Sequence, residues 1–319
     1  MPVPAALAGL TLPVVGAPMF LVSGPELVIA QCCAGVVGSF PSLNARPEPA
    51  LAEWIARIRA ALAGHDAAHP GRRAAPFAVN LIVNRANARL THDTEACLRA
   101  EVPIIITSLQ APGEIVPGVH AYGGLVFHDV TTLRHAEKAA EAGVDGIVLV
   151  CTGAGGHAGG LSPFALLPEV RRIFPGTILL AGAISTGRAV FAARALGADL
   201  AYMGTRFIAT REAAASEDYK RMIVAAQARD IAYTPEFTGV NGNYLRPSIA
   251  AAGVDPDALA LPGASAAYRS RDKSGQTAWR DIWSAGQGVG AIDDVPPVAE
   301  LVARLAEEYR EARRLVAGL

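Results

Sequence analysis

The chain has 319 residues, 51% hydrophobic and 18% charged, with a formal net charge of -1. That length holds one large domain or two ordinary ones with a full core, and the balance excludes a disordered chain and the basic footprint of a nucleic-acid binder. No apolar run reaches the ~20 residues needed to span a bilayer, and the start, MPVPAALAGLTLP, lacks the basic opening of a secretory signal, so a cytoplasmic protein is expected.

A first strand at 13–16 ends in Ala17-Pro18-Met19, and Pro25 opens a helix running to Ala34. A second strand at 35–40 and an amphipathic helix at 49–62 repeat the rhythm. FAVNLIV at 77–83 is the third strand, with the single polar residue Asn80, and a helix follows at 91–100. The fourth strand lies at 102–107; Pro112 and Pro117 allow at most a short helix after it. GLVFHDV at 124–130 is the fifth, with Thr131 capping the helix to Ala142. The sixth, 147–152, runs into a glycine-rich loop, and Ser162-Pro163 opens the next helix. TILLAGAI at 177–184 is the seventh, with Ser185 or Thr186 capping a helix that ends near Gly197, and DLAYMGT at 199–205 is the eighth.

Eight strand-and-helix units in sequence predict an α/β fold, a (β/α)8 TIM barrel. After the eighth strand the composition changes until a long amphipathic helix resumes at 296–316. The expected organisation is therefore a barrel of residues 1–210 plus 289–319, with a smaller, mostly helical lid inserted at 211–288.

The chemistry is expected at the C-terminal strand ends. In GIVLVCTGAGGHAGGLSP (146–163) a buried strand breaks into Gly153, Gly155, Gly156, Gly159 and Gly160 around His157. Bare backbone there admits a planar ligand, and a histidine can exchange a proton near neutral pH; the alternative is a flexible loop with a solvated histidine. Gly182 and Ala183 precede a helix N-terminus, and Met203-Gly204-Thr205 offers a small residue and a hydroxyl, which together suit a phosphate. Asn80 serves equally as a partner for strand-end backbone or as a ligand contact. His128 and Asp129 are either an orienting pair or a helix cap, with capping favoured. Cys32, Cys33, Cys97 and Cys151 lack CxxC spacing and read as reduced thiols, Cys151 as a buried structural one. His65 and His69 stand i, i+4, but the adjoining Pro70 argues against a metal site, and no metal is expected.

GAPM (16–19), VN (79–80), AGGHAG (154–159), AGAISTGR (181–188), YMGTRF (202–207) and WSAGQGVG (283–290) resemble, in order, the motifs of the FMN-dependent nitronate monooxygenases. The resemblance implies FMN as cofactor and oxidation of alkyl nitronates by O2 to a carbonyl compound and nitrite. It implies that Ala17, Pro18 and Met19 pack on the isoalloxazine, that Asn80 contacts it and that Gly155 and Gly156 line its edge. Gly182, Ala183, Tyr202, Met203, Gly204 and Thr205 would hold the phosphate. His157 falls on the family's catalytic histidine, as base or as hydrogen-bond donor to the nitro group. Val150 and Gly153 stand where many relatives carry a polar and an acidic residue, and Ala183 replaces a frequent glycine. The same motifs occur in FMN-dependent NAD(P)H:quinone and enoyl-thioester reductases, which is the alternative activity. The expected partners are a small nitronate or nitroalkane and O2, without nucleic acid or membrane, and a homodimer is left open.

Overall fold

The computed structural model describes residues 4–261 and 279–318. Eight strands form the central sheet: β1 (Val14–Gly16), β2 (Gly38–Pro41), β3 (Phe77–Val83), β4 (Ile104–Leu109), β5 (Leu125–Val130), β6 (Gly146–Val150), β8 (Thr177–Ala181) and β9 (Leu200–Met203). The remaining strand before β8, β7 (Gly156–His157), belongs to a second, smaller sheet. The ladder runs β1-β9-β8-β6-β5-β4-β3-β2, parallel at every step. A parallel bridge between Val15 and Val37 closes it, with the Gly16 N–H donating to the Val37 carbonyl at 2.8 Å. Closure leaves no sheet edge, and this is the expected TIM barrel.

Strand alternation separates two apolar layers. Ile104, Ile106, Phe127, Val148 and Leu179 point into the barrel, while their neighbours Ile105, Val126, Ile147 and Ile178 pack outward on the helices. Those helices are α1 (Pro25–Cys33), α2 (Ala50–Ala68), α3 (Leu90–Arg99), α4 (Val116–His120), α5 (Leu133–Glu141), α6 (Pro163–Ile173) and α7 (Gly187–Leu196), and the ring is completed by α11 (Val298–Ala317). The apolar stripe of α11, Leu301, Val302 and Leu305, is buried in the outer layer. Its Glu308 carboxylate accepts the Gly187 N–H at 2.6 Å, tying it to the start of α7.

Several boundaries differ from the sequence expectation for local reasons. β4 begins at Ile104 rather than 102, because Glu101 turns with φ 45° and Pro103 has no N–H to give the ladder. Helix α2 continues to Ala68 through Gly64, which an exposed helix tolerates at ~1 kcal/mol. The cap of α5 is Thr132, whose hydroxyl accepts the His135 N–H, and not Thr131. At α7 the cap is Thr186, and Gly197 ends the helix in the left-handed region, φ 110°.

Between β9 and α11 the chain holds α8 (Thr205–Ile208), α9 (Glu217–Ala225), β10 (Ile231–Thr234), β11 (Gly242–Leu245) and α10 (Arg246–Ala251). Helix α9 is capped by Ser216, whose side chain accepts the Tyr219 N–H. Strands β10 and β11, in a segment expected to be mostly helical, pair antiparallel, and β11 pairs in turn with β7, setting Gly242 opposite His157 and Asn243 opposite Gly156. Part of the Asp- and Ala-rich stretch after them, 262–278, lies outside the described residues. Among the described residues no helix is long and apolar enough to cross a membrane.

Candidate active site

A cavity of about 1040 Å³ lies at the C-terminal strand ends, within reach of the segment between β9 and α11. Eleven of the twelve nominated cofactor residues line it: Ala17, Pro18 and Met19 after β1, Asn80 on β3, Gly155 and Gly156 after β6, Gly182 and Ala183 after β8, and Tyr202, Gly204 and Thr205 at β9. Met203 does not. Alternation along β9 turns Tyr202 inward and Met203 outward into the helix-facing core, where it is 1% exposed.

The wall near β3 to β5 is a polar chain. Asn80 Nδ2 donates to the Ile106 carbonyl at 3.2 Å and to Ser108 Oγ at 2.9 Å, and Ser108 Oγ donates to Asp129 Oδ2 at 2.7 Å. Both amide hydrogens of Asn80 are thus engaged, so toward a ligand it offers its oxygen. Asp129 Oδ1 and the Tyr202 hydroxyl are buried without a hydrogen-bond partner among the described residues. Burial pushes the Asp129 carboxyl up to about 6, against the pull of Ser108. The Tyr202 phenol is raised well above its usual value by burial and then by the Asp129 charge.

The favoured capping role for His128 and Asp129 is therefore corrected. Asp129 bonds across to β4 and lines the cavity. His128 is buried, with Nδ1 2.8 Å from Thr107 Oγ1, and burial takes it down to about 4. The signal available in the sequence was period two: on a strand buried on both faces, adjacent polar residues must go to opposite layers and each needs a partner.

His157 sits on β7 at the cavity wall, with Nε2 2.8 Å from Thr238 Oγ1 and its ring edge-on to Trp279, centroids 5.4 Å apart at 82°. Although the residue is exposed to the cavity, desolvation by the loop and hairpin packed around it lowers its imidazole below the usual histidine value, which favours the neutral ring at neutral pH. The loop around it is held from the far side of the chain. Asn243 Nδ2 donates to the Ala154 carbonyl at 2.6 Å, Tyr233 Oη to that of Ala158 at 2.8 Å, and the Gln287 N–H to that of Gly153 at 2.9 Å. Glycine is required at 155, where a Cβ would stand 2.9 Å from the Gly286 nitrogen. Thr238 and Trp279 escaped sequence reasoning as site residues, because each reaches the loop across a long stretch of chain.

The donors for an anion are backbone ones. At the start of α7 the N–H groups of Gly187 and Ala189 are taken by Glu308 and Thr186, so the helix terminus itself is occupied by protein acceptors. The Ala183 N–H is taken by Gly153. The N–H groups of Gly182, Ser185, Gly204 and Thr205, all on the cavity wall, have no acceptor among the described residues. Gly182 needs its freedom: φ is 137° and a Cβ would lie 2.7 Å from the Thr152 carbonyl oxygen. Such a row of unpartnered amides fits a phosphate, and the unpartnered Tyr202 and Asp129 atoms fit a polar ring edge. The residues present therefore suit a flavin mononucleotide.

Cys151 is buried and its thiol is pushed up to about 12, which removes it as a nucleophile. His65 and His69 stack at 4.4 Å and bond to backbone carbonyls, and among the described residues no group of three metal-ligating side chains converges.

The family model described as nitronate monooxygenase matches residues 4–308. A putative monooxygenase of Mycobacterium tuberculosis is 32% identical over 65% of this chain, the match spanning 59% of that protein's length. Among solved structures, a nitroalkane oxidase from Streptomyces ansochromogenes superposes with a TM-score of 0.79 at 25% identity, over 98% of this chain and 100% of that one. A mutant of FabK from Thermotoga maritima gives 0.77 at 26% identity, over 97% and 96%.

Proposed function

The chain belongs to the nitronate monooxygenase family, and on that premise we propose that it oxidises alkyl nitronates with O2 through bound FMN, giving a carbonyl compound and nitrite. The observation that carries this reading is the charge pattern of the cavity. His157 stands on its wall, and no Lys or Arg is among the described residues that line it. A thioester carrier or a nicotinamide dinucleotide brings several phosphates that favour such cations, whereas an alkyl nitronate needs one anion-stabilising group and apolar room.

In this reading the backbone amides of Gly182, Ser185, Gly204 and Thr205 hold the phosphate, and Ala17 to Met19, Asn80, Gly155 and Gly156 frame the ring. FMN held there would supply an electron acceptor for the nitronate and a route for electrons to O2. His157 does the proton chemistry. With a neutral nitroalkane its unprotonated nitrogen takes the α-proton, and the C–H electron pair moves into the nitro group. With a preformed nitronate that proton is already gone, and the ring donates a hydrogen bond to the anion from its cavity-facing nitrogen only in the protonated form. Segment 211–288 would act as the lid over the substrate, with residues 1–210 and 289–319 as the barrel beneath it.

Nitrite release and O2 uptake with an alkyl nitronate, run beside NAD(P)H oxidation with and without a quinone, test the proposal. Nitrite formation that needs no NAD(P)H is expected. His157→Ala should keep its flavin and lose about a hundredfold or more in kcat/KM for neutral nitroalkanes. Rapid NAD(P)H oxidation without nitrite would reject the monooxygenase reading in favour of the reductase one.

A further inference from the structure

The hydroxyl of Thr238 has three polar neighbours: His157 Nε2 at 2.8 Å, the Val240 carbonyl oxygen at 3.1 Å and the Tyr244 hydroxyl at 3.5 Å. A threonine hydroxyl has one hydrogen and two lone pairs. The Val240 carbonyl can only accept, so the Thr238 hydrogen goes there. Toward His157 the same oxygen is left as an acceptor, which requires the hydrogen to sit on Nε2. Tyr244, buried and with its phenol pushed up to about 12, stays protonated and can fill the remaining lone pair.

We infer that Thr238 is a positioning residue for His157: by accepting from Nε2–H it fixes the imidazole tautomer and leaves Nδ1 as the basic atom at the cavity. Nδ1 has no hydrogen-bond partner among the described residues, and His157 lies on the cavity wall. The ring is also held in orientation, edge-on to Trp279, which in turn packs at 5.1 Å on Tyr244. The pairing of β11 with β7 places Gly242 opposite His157 and so brings the 235–241 turn, with Thr238, over the imidazole. The same arithmetic occurs with the other nitrogen at His128. There Thr107 Oγ1 donates to the Phe127 carbonyl at 3.1 Å and accepts from Nδ1.

The inference rests on His157 acting as the base. The α-C–H bond of a nitroalkane breaks, an Nδ1–H bond forms, and the electron pair remains on the substrate as the nitronate. Nε2–H keeps its bond to Thr238 while the ring becomes cationic, so the positive charge is met by an oxygen lone pair already in place.

Flavin-loaded protein labelled with ¹⁵N at its seven histidines reports the tautomer directly through the ring nitrogen shifts, with His157→Gln assigning the signals. Wild type should show His157 as the Nε2–H tautomer. Thr238→Val should mix the tautomers and lower by about tenfold or more the ratio of kcat/KM for a neutral nitroalkane to that for its preformed nitronate. Thr238→Ser should restore both. An Nδ1–H tautomer in wild type overturns the inference, as does a Val variant that keeps Nε2–H and an unchanged ratio. A fall in the ratio with the tautomer intact also overturns it, because Thr238 would then be acting on substrate. If His157→Ala still turns over neutral nitroalkanes, the base reading is lost, and the tautomer of wild type and Thr238→Val alone decides whether Thr238 sets the ring.

Discussion

His128 and Asp129 are neighbours whose ionisation is shifted in opposite directions by the same cause, burial on a barrel strand. For Asp129 the folded value, about 6, lies above the ordinary 3.8, so the native state holds that proton more tightly. Its contribution to stability is then largest near pH 4 and declines as the pH rises through 6. For His128 the folded value, about 4, lies below 6.5, so its contribution grows over nearly the same interval. The two slopes oppose each other, so the contributions of this pair largely cancel between pH 4 and 6. Asp129→Asn should make stability rise with pH across that window, and His128→Gln should make it fall, each by on the order of 2–3 kcal/mol. Urea midpoints from pH 4 to 7 read the slopes, and three parallel profiles would remove this account of both residues.

Strand β7 and the β10–β11 hairpin form one working unit although far apart in the chain. The glycine loop's β7 is the third strand of the hairpin's sheet, and the buried Asn243 amide donates to the Ala154 carbonyl. Removing that donor leaves a carbonyl without its partner, a loss of about 1–3 kcal/mol felt where it occurs. Asn243→Ala should therefore speed amide hydrogen exchange in 153–158 by about tenfold or more while α11 keeps its protection. Equal protection of the loop in both proteins would show that β7 is held without the hairpin.

The cavity opens through an apolar mouth. Phe20, Leu109, Leu161 and Val240, between 36% and 54% exposed, are all among its lining. Large apolar side chains left in water around an opening favour a substrate that covers them. Each methylene transferred there contributes up to ~0.8 kcal/mol. For nitronates from two to six carbons, kcat/KM should climb by about two- to fourfold per methylene. A nitronate bearing a carboxylate should be poorer than its alkyl counterpart, having no Lys or Arg among the described lining residues to meet it. A flat series, or a preference for the carboxylate, would contradict the alkyl assignment.

The eight-unit rhythm, the strand-end positions of Ala17, Gly182 and Gly204, and the glycines around His157 after β6 were all legible in the chain. Periodicity, capping and glycine content are properties of residues close in sequence, and in a barrel every strand end opens on the same face. What needed the fold was each partner reached across distance. Thr238 lies 81 positions from His157, and Asn243 lies 89 from Ala154. No local pattern sets either pairing, because the register of β11 against β7 is a contact between segments far apart in the chain. The outward turn of Met203 lay between these cases. It follows from strand alternation, but only after Tyr202 is known to face the cavity.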